Sequence, residues 1–139
     1  MKKLNIGIAG LGNVGSALIK SIEENNNYFK KKTSFEIEIV AVSAKSKNKK
    51  RNIDINKYKW FDDPIDIAEL HYCDVIVELI GQEKGISYNL IENALKNNKH
   101  VVTGNKALIA NHGKNLFNLA EINSLALSFE AAVAGGIPI

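Results

Sequence analysis

Cysteine and arginine are nearly absent from this 139-residue chain, and each absence removes a class of function. With Cys73 alone there is no disulfide within the chain and no cysteine spacing suited to zinc. Cys73 stands just before a strand pattern with no base beside it in sequence, and reads as a small packing residue. Arg51 is the only arginine among 18 basic residues, and aromatics make up 7%. Nucleic-acid surfaces cluster arginine with interleaved aromatics, so a net charge of +3 carried by lysines gives no reason to expect that partner. No apolar run is long enough to span a bilayer, and Met1-Lys2-Lys3 lead into a strand pattern without an apolar signal core. The chain therefore reads as cytoplasmic, with no membrane partner. Its length suits one core-bearing domain and is too short for two.

What is present is alternation. Apolar residues recur at period two over 3–9 and at helical spacing over 13–24, where Asn25-Asn26-Asn27 reads as the helix end and a polar loop follows through Lys30-Lys31-Lys32. Phe35, Ile37 and Ile39 alternate with Glu36 and Glu38, predicting a second strand that is half exposed before it turns apolar at Val40-Ala41-Val42. Residues 45–58 are basic and polar and read as a loop. Asp62-Asp63-Pro64 predicts the start of a short helix near 65–70. A third strand over 74–80, a helix from Ile86 to Leu95, a fourth strand over 100–103, a helix over 106–121 and a fifth strand over 125–129 complete the series. Such alternation predicts a doubly wound, mostly parallel sheet with helices on both faces and a ligand crevice at the strand C-terminal ends.

Gly10-Leu11-Gly12-Asn13-Val14-Gly15 lies between the first strand and the first helix. A glycine turn there presents bare backbone N–H groups at the positive end of a helix, where phosphate binds. Gly10 allows the tight turn, Gly12 admits a pyrophosphate over Asn13 and Val14, and Gly15 lets helix and strand pack closely. The second strand ends Val42-Ser43-Ala44-Lys45-Ser46-Lys47 without the acid that accepts from an adenosine 2′-hydroxyl. A cation with no carboxylate beside it suits a 2′-phosphate instead, so NADP(H) is expected ahead of NAD(H), with Lys45 as the contact and Ser43 as a hydrogen-bond donor. The remaining lysines of that loop are left to solvent. Lys106 follows a buried strand pattern and starts a helix, an end whose dipole repels cations; function explains that placement better than chance. His71, His100 and His112 are given no catalytic role, and His112 is expected to be exposed or capping.

Two further motifs, Val102-Thr103-Gly104-Asn105-Lys106-Ala107-Leu108 and Phe129-Glu130-Ala131-Ala132-Val133-Ala134-Gly135-Gly136-Ile137-Pro138, stand behind the glycine turn. In order and spacing the three resemble the N-terminal part of homoserine dehydrogenase, over essentially the whole chain. The resemblance implies a Rossmann-type NAD(P)-binding domain over 1–130. It implies an enzyme that interconverts L-homoserine and L-aspartate 4-semialdehyde on the route to threonine and methionine. It also implies that Ile80 and Gly81 line the nicotinamide-ribose side, that Thr103 and Asn105 position the cofactor, and that Lys106 orients or polarises the substrate. Glu130, Val133, Gly135 and Ile137 would form a sodium site built mainly from backbone carbonyls. Gly104 departs from the alanine or proline usual in the family; it removes no chemical group.

Residues 131–139 read as the start of a connection to a further substrate and dimerisation domain, which would carry the family's aspartate and lysine for proton transfer and pair the full-length protein as a homo-oligomer. On that reading the chain binds cofactor but turns over little or nothing alone. Two rivals keep the glycine turn: another NAD(P)-dependent oxidoreductase, and a non-catalytic nucleotide-sensing domain.

Overall fold

The computed structural model describes residues 2–82 and 84–130. In chain order the elements are β1 (Lys2–Ala9), α1 (Asn13–Thr33), β2 (Phe35–Ser43), a 3-10 turn (Ile55–Lys57), β3 (Lys59–Phe61), α2 (Ile65–Ala68), β4 (Val75–Glu78), α3 (Ile86–Lys96), β5 (His100–Thr103), α4 (Lys106–Ile122) and β6 (Leu127–Ser128). The strands form one sheet in the order β3-β2-β1-β4-β5-β6, and every neighbouring pair is parallel. The chain builds outward from β1 to β3, then returns to the other side of β1 with β4. The order therefore reverses between β1 and β4, which opens a crevice at their C-terminal ends.

Period-two alternation sends side chains to opposite faces and divides the core in two. Ile6, Ile8, Val42, Val75 and Val77 pack with Ile19 and Ile22 of α1 on one face. Ala9, Ala41, Ile76 and Val101 lie on the other, under Ile67 of α2, Leu90, Ile91 and Leu95 of α3, and Leu108 and Leu116 of α4. Each fully buried Ile or Leu contributes roughly 1.5–3 kcal/mol relative to its exposed state. Helices thus cover both faces, as the alternation predicts. Cys73 is buried among the second group, a packing residue.

The sequence pattern misplaces three local features. First, α1 does not stop at the asparagines but continues for another turn and more, to Thr33. Phe29 packs on the α1 face of the core, Asn26 Nδ2 donates to the Ile37 carbonyl at 3.1 Å, and the helix ends only where Ser34 adopts φ 62°. Tertiary contact overrides the low helix propensity of asparagine. Second, the expected loop over 45–58 contains the Ile55–Lys57 turn, capped by the Asp54 carboxylate accepting from Asn56 N at 3.1 Å. Third, the short edge strand β3 follows it, pairing Lys59–Phe61 with Ala41–Ser43. Three residues are too few to show a period. β6, at Leu127–Ser128, is also shorter than the 125–129 expected.

Candidate functional site

The crevice begins with the turn after β1. Gly10 has φ +101°, and a Cβ there would fall 2.5 Å from the Leu79 carbonyl carbon and oxygen. Its N–H donates to the Ser43 carbonyl at 2.8 Å, while Leu79 N–H donates to the Ala9 carbonyl at 2.8 Å. Only glycine lets the ends of β2, β1 and β4 come this close. Gly15 serves the second approach: a Cβ on it would stand 2.0 Å from the Gly10 oxygen. Gly12 differs from both, since a Cβ there meets nothing within 4 Å. It faces open space, the arrangement needed for a ligand's phosphates to reach the backbone.

α1 starts bare. Its N-cap Gly12 supplies no side-chain hydrogen bond, its first turn holds no acid, and its last turn carries Lys30, Lys31 and Lys32. The first helical bond runs from Ser16 N–H to the Gly12 carbonyl, leaving the amides ahead of it for a ligand. Asn13 and Val14 are exposed, and Val14 at 66% is an unusually open apolar side chain. The start of α4 is finished by contrast, because Asn105 Oδ1 accepts from Leu108 N–H at 3.1 Å.

A cleft of about 360 Å³ opens at the start of α1, lined by Leu11 to Asn13, Ser16, Ala17, Lys20 and residues 49–53. Arg51 holds it in shape, which the sequence reading did not anticipate. Its Nε donates to the Leu11 carbonyl at 3.1 Å, and its other nitrogens donate to the carbonyls of Ser46 at 2.7 Å, Lys49 at 3.0 Å and Lys47 at 3.4 Å. The planar guanidinium thereby gathers the basic loop onto the glycine turn. Lys49 and Lys50, expected to serve solvent alone, line the cleft, and Lys47 lies 6.0 Å from the Trp60 ring centroid. Lys45 is exposed on the same loop, outside the lining residues. Ser43 is buried at the end of β2, where its carbonyl fixes the turn.

On the other side of the switch point, Ile80 and Gly81 follow β4, and Thr103, Gly104, Asn105 and Lys106 follow β5. Glu78, passed over in the sequence as part of an apolar strand, is fully buried between them. Its Oε1 accepts from Ile80 N at 2.8 Å, Gly81 N at 3.1 Å and Ser87 Oγ at 3.0 Å, and its Oε2 accepts from Thr103 Oγ1 at 2.6 Å. The signal was available: one acid inside Val75-Ile76-Val77-Glu78-Leu79-Ile80. Thr103 and Asn105 are buried, Asn105 also donating from Nδ2 to the Gln82 carbonyl, so both shape the wall. Lys106 is exposed at the first position of α4, and no ion pair among the described residues involves it.

The histidines lie away from this wall's hydrogen bonds. His112 is half-buried and set edge-on against Tyr88, with ring centroids 5.1 Å apart, rather than exposed or capping. His100 Nδ1 accepts from Ala126 N at 3.0 Å, and His71 is exposed. Of the expected sodium ligands, Val133, Gly135 and Ile137 lie outside the described residues; Glu130 is exposed. Among the described residues no group of three or more His, Cys, Asp or Glu side chains is arranged to hold a metal ion. No described helix is long and apolar enough to cross a membrane.

The model of the homoserine dehydrogenase NAD-binding domain matches residues 10–130. The homoserine dehydrogenase of Neisseria gonorrhoeae is 40% identical over 139 residues, all of this chain and 32% of that protein. The chain thus spans about a third of the length of the curated relatives it matches. Among solved structures, homoserine dehydrogenase from S. aureus superposes with a TM-score of 0.90 at 44% identity, covering 99% of this chain and 34% of that one. A hyperthermophilic archaeal homoserine dehydrogenase in complex with NADPH gives 0.75 at 25% identity, covering 94% and 44%. Sheet order, glycine turn and both sets of relatives agree: the chain belongs to the homoserine dehydrogenase family, as its NAD-binding domain.

Proposed function

We propose that this domain binds NADP(H) in preference to NAD(H) and forms the cofactor half of a cytoplasmic, oligomeric enzyme that interconverts L-homoserine and L-aspartate 4-semialdehyde. The observation that carries the cofactor reading is the open space over Gly12 at an uncapped helix start, between two glycines that no other residue can replace without a clash. When bound, the nicotinamide supplies the hydride-transfer chemistry. The amides of Gly12, Asn13 and Val14 hold the phosphates, and Gly15 fixes their helix against the turn. Ile80 and Gly81 border the nicotinamide ribose, Thr103 and Asn105 hold the wall behind it, and Lys106 orients or polarises the substrate as charge develops on oxygen.

The 2′-phosphate preference rests on the basic loop and on the missing acid after β2. Lys45 supplies a point charge from the exposed end of the loop, Ser43 a hydroxyl at its base, while Arg51, Lys49 and Lys50 add positive potential around the cleft. NADPH binding to an archaeal relative supports the same choice. A sodium ion on Glu130, Val133, Gly135 and Ile137 remains part of the proposal for the full-length protein.

Calorimetric titration of the chain with NADPH and then NADH, at low and moderate salt, tests this. Tighter NADPH binding that weakens with salt and falls about tenfold or more in Lys45→Glu is expected. Equal or NADH-favoured binding would remove the Lys45 contact. Homoserine oxidation by this chain alone would overturn the reading that the proton-transfer residues lie on a further domain.

A further inference from the structure

Glu78 is the one fully buried carboxylate among the described residues, and none of its neighbours in hydrogen-bond range is a cation. It is held by four donors instead: two backbone amides and two hydroxyls. The four donors come from three parts of the crevice wall. Ile80 and Gly81 are the chain leaving β4, Ser87 lies in the first turn of α3, and Thr103 ends β5. The ties then extend outward. Ser87 Oγ accepts from Gln82 N at 3.3 Å, Thr103 Oγ1 accepts from Asn105 N at 3.1 Å, and Asn105 closes the ring onto the Gln82 carbonyl while capping α4. Lys106 is the next residue along. A buried charge satisfied only by directed dipoles costs more to move than an apolar contact, so such a network keeps its members in register.

We infer that Glu78 is the positioning residue of the nicotinamide side: one buried carboxylate sets where the Ile80-Gly81 loop and the Thr103–Lys106 segment stand relative to each other. It touches no ligand in this role. The inference rests on the cofactor reading above and assigns its second half a structural cause.

Replacing Glu78 by glutamine keeps the volume but turns one acceptor into a donor. If the amide oxygen keeps Ile80, Gly81 and Ser87, its nitrogen faces Thr103, whose hydroxyl proton then loses its acceptor. The loosened arm is the one that carries Asn105 and Lys106. The adenosine half of the site, built on β1, β2 and the Arg51 loop, has no link to this network through the carboxylate.

The test is calorimetric titration of the chain with NADPH and with adenosine 2′,5′-bisphosphate, which represents the adenosine half alone. Glu78→Gln is expected to bind NADPH about tenfold more weakly and the bisphosphate within about threefold of wild type. Equal loss for both ligands, or loss for neither, would overturn the positioning role and leave the cofactor site standing. A wild-type chain that binds neither ligand would overturn the cofactor reading and this inference with it. Should Glu78→Gln fail to fold, Ser87→Ala decides, since it removes one donor and leaves the carboxylate in place. A selective NADPH loss of threefold or more supports the role; unchanged affinity overturns it.

Discussion

On the β1–β2 side of the crevice the atoms offered to a ligand are backbone amides and exposed cations, gathered by Arg51 onto an uncapped helix start. On the β4–β5 side they belong to segments tied to the buried Glu78, and the helix that starts there is already capped by Asn105. The first side has a helix start without a side-chain cap, and the second has one that its own N-cap residue satisfies. Diffuse negative charge such as a polyphosphate needs potential and an open approach, which exposed groups supply. Hydride transfer needs a fixed geometry, which requires groups already satisfied and unable to turn.

The contrast can be broken most severely at Gly15. Gly15→Ala sets a Cβ against the Gly10 oxygen, so a loss of about 3 kcal/mol in denaturant unfolding, or failure to fold, is expected. Gly12→Ala is its counterpart, with nothing for the new methyl to meet. Its unfolding midpoint should match wild type while NADPH affinity falls about tenfold or more. A Gly12→Ala protein that is unstable yet binds normally would mean the two glycines do the same work.

Arg51→Ala probes the exposed side. With its carbonyl contacts gone the loop leaves the cleft, and affinity for adenosine 2′,5′-bisphosphate should fall about threefold to tenfold with little change in stability. That is the reverse of the selectivity expected for Glu78→Gln. Equal behaviour of the two variants would erase the distinction between the sides.

The smallest effect concerns Cys73, beneath the sheet rather than at the crevice. Burial pushes its thiol up from 9.0 to about 11, against the smaller pull of nearby Lys99. Labelling by a thiol reagent at pH 8 should therefore be slow in the folded chain and rapid once it is unfolded. The unfolded thiol ionises first, so this contribution to stability is complete below pH 9 and is lost as pH rises toward about 11. Stability flat across that interval in wild type and in Cys73→Ala alike would remove the effect.

Much of this was legible before the fold was known. Strand–helix alternation, the three glycines and the start of a helix at Lys106 depend on local period and on turn stereochemistry, which the chain states directly, whereas Thr103 and Asn105 were reached only through the family resemblance. Asn25-Asn26-Asn27 misled because local propensity says stop, whereas Phe29 and the Ile37 carbonyl, from a different element, keep α1 going. β3 was invisible because a three-residue edge strand exists only by virtue of its partner.

The sequence by itself determined the parallel α/β class, the glycine turn ahead of α1 and the family, since each is carried by local patterns that need no contact between distant residues. Only the tertiary structure decided the roles of Arg51 and Glu78. Arg51 lies 40 residues from Leu11, and Glu78 lies 25 from Thr103. A lone arginine in a lysine-rich loop and a lone acid in an apolar strand become an organiser and an anchor only when parallel strands bring their ends to one edge. Hydrogen bonds are short-ranged and directional, so no local pattern can specify one between partners that meet only after the sheet forms.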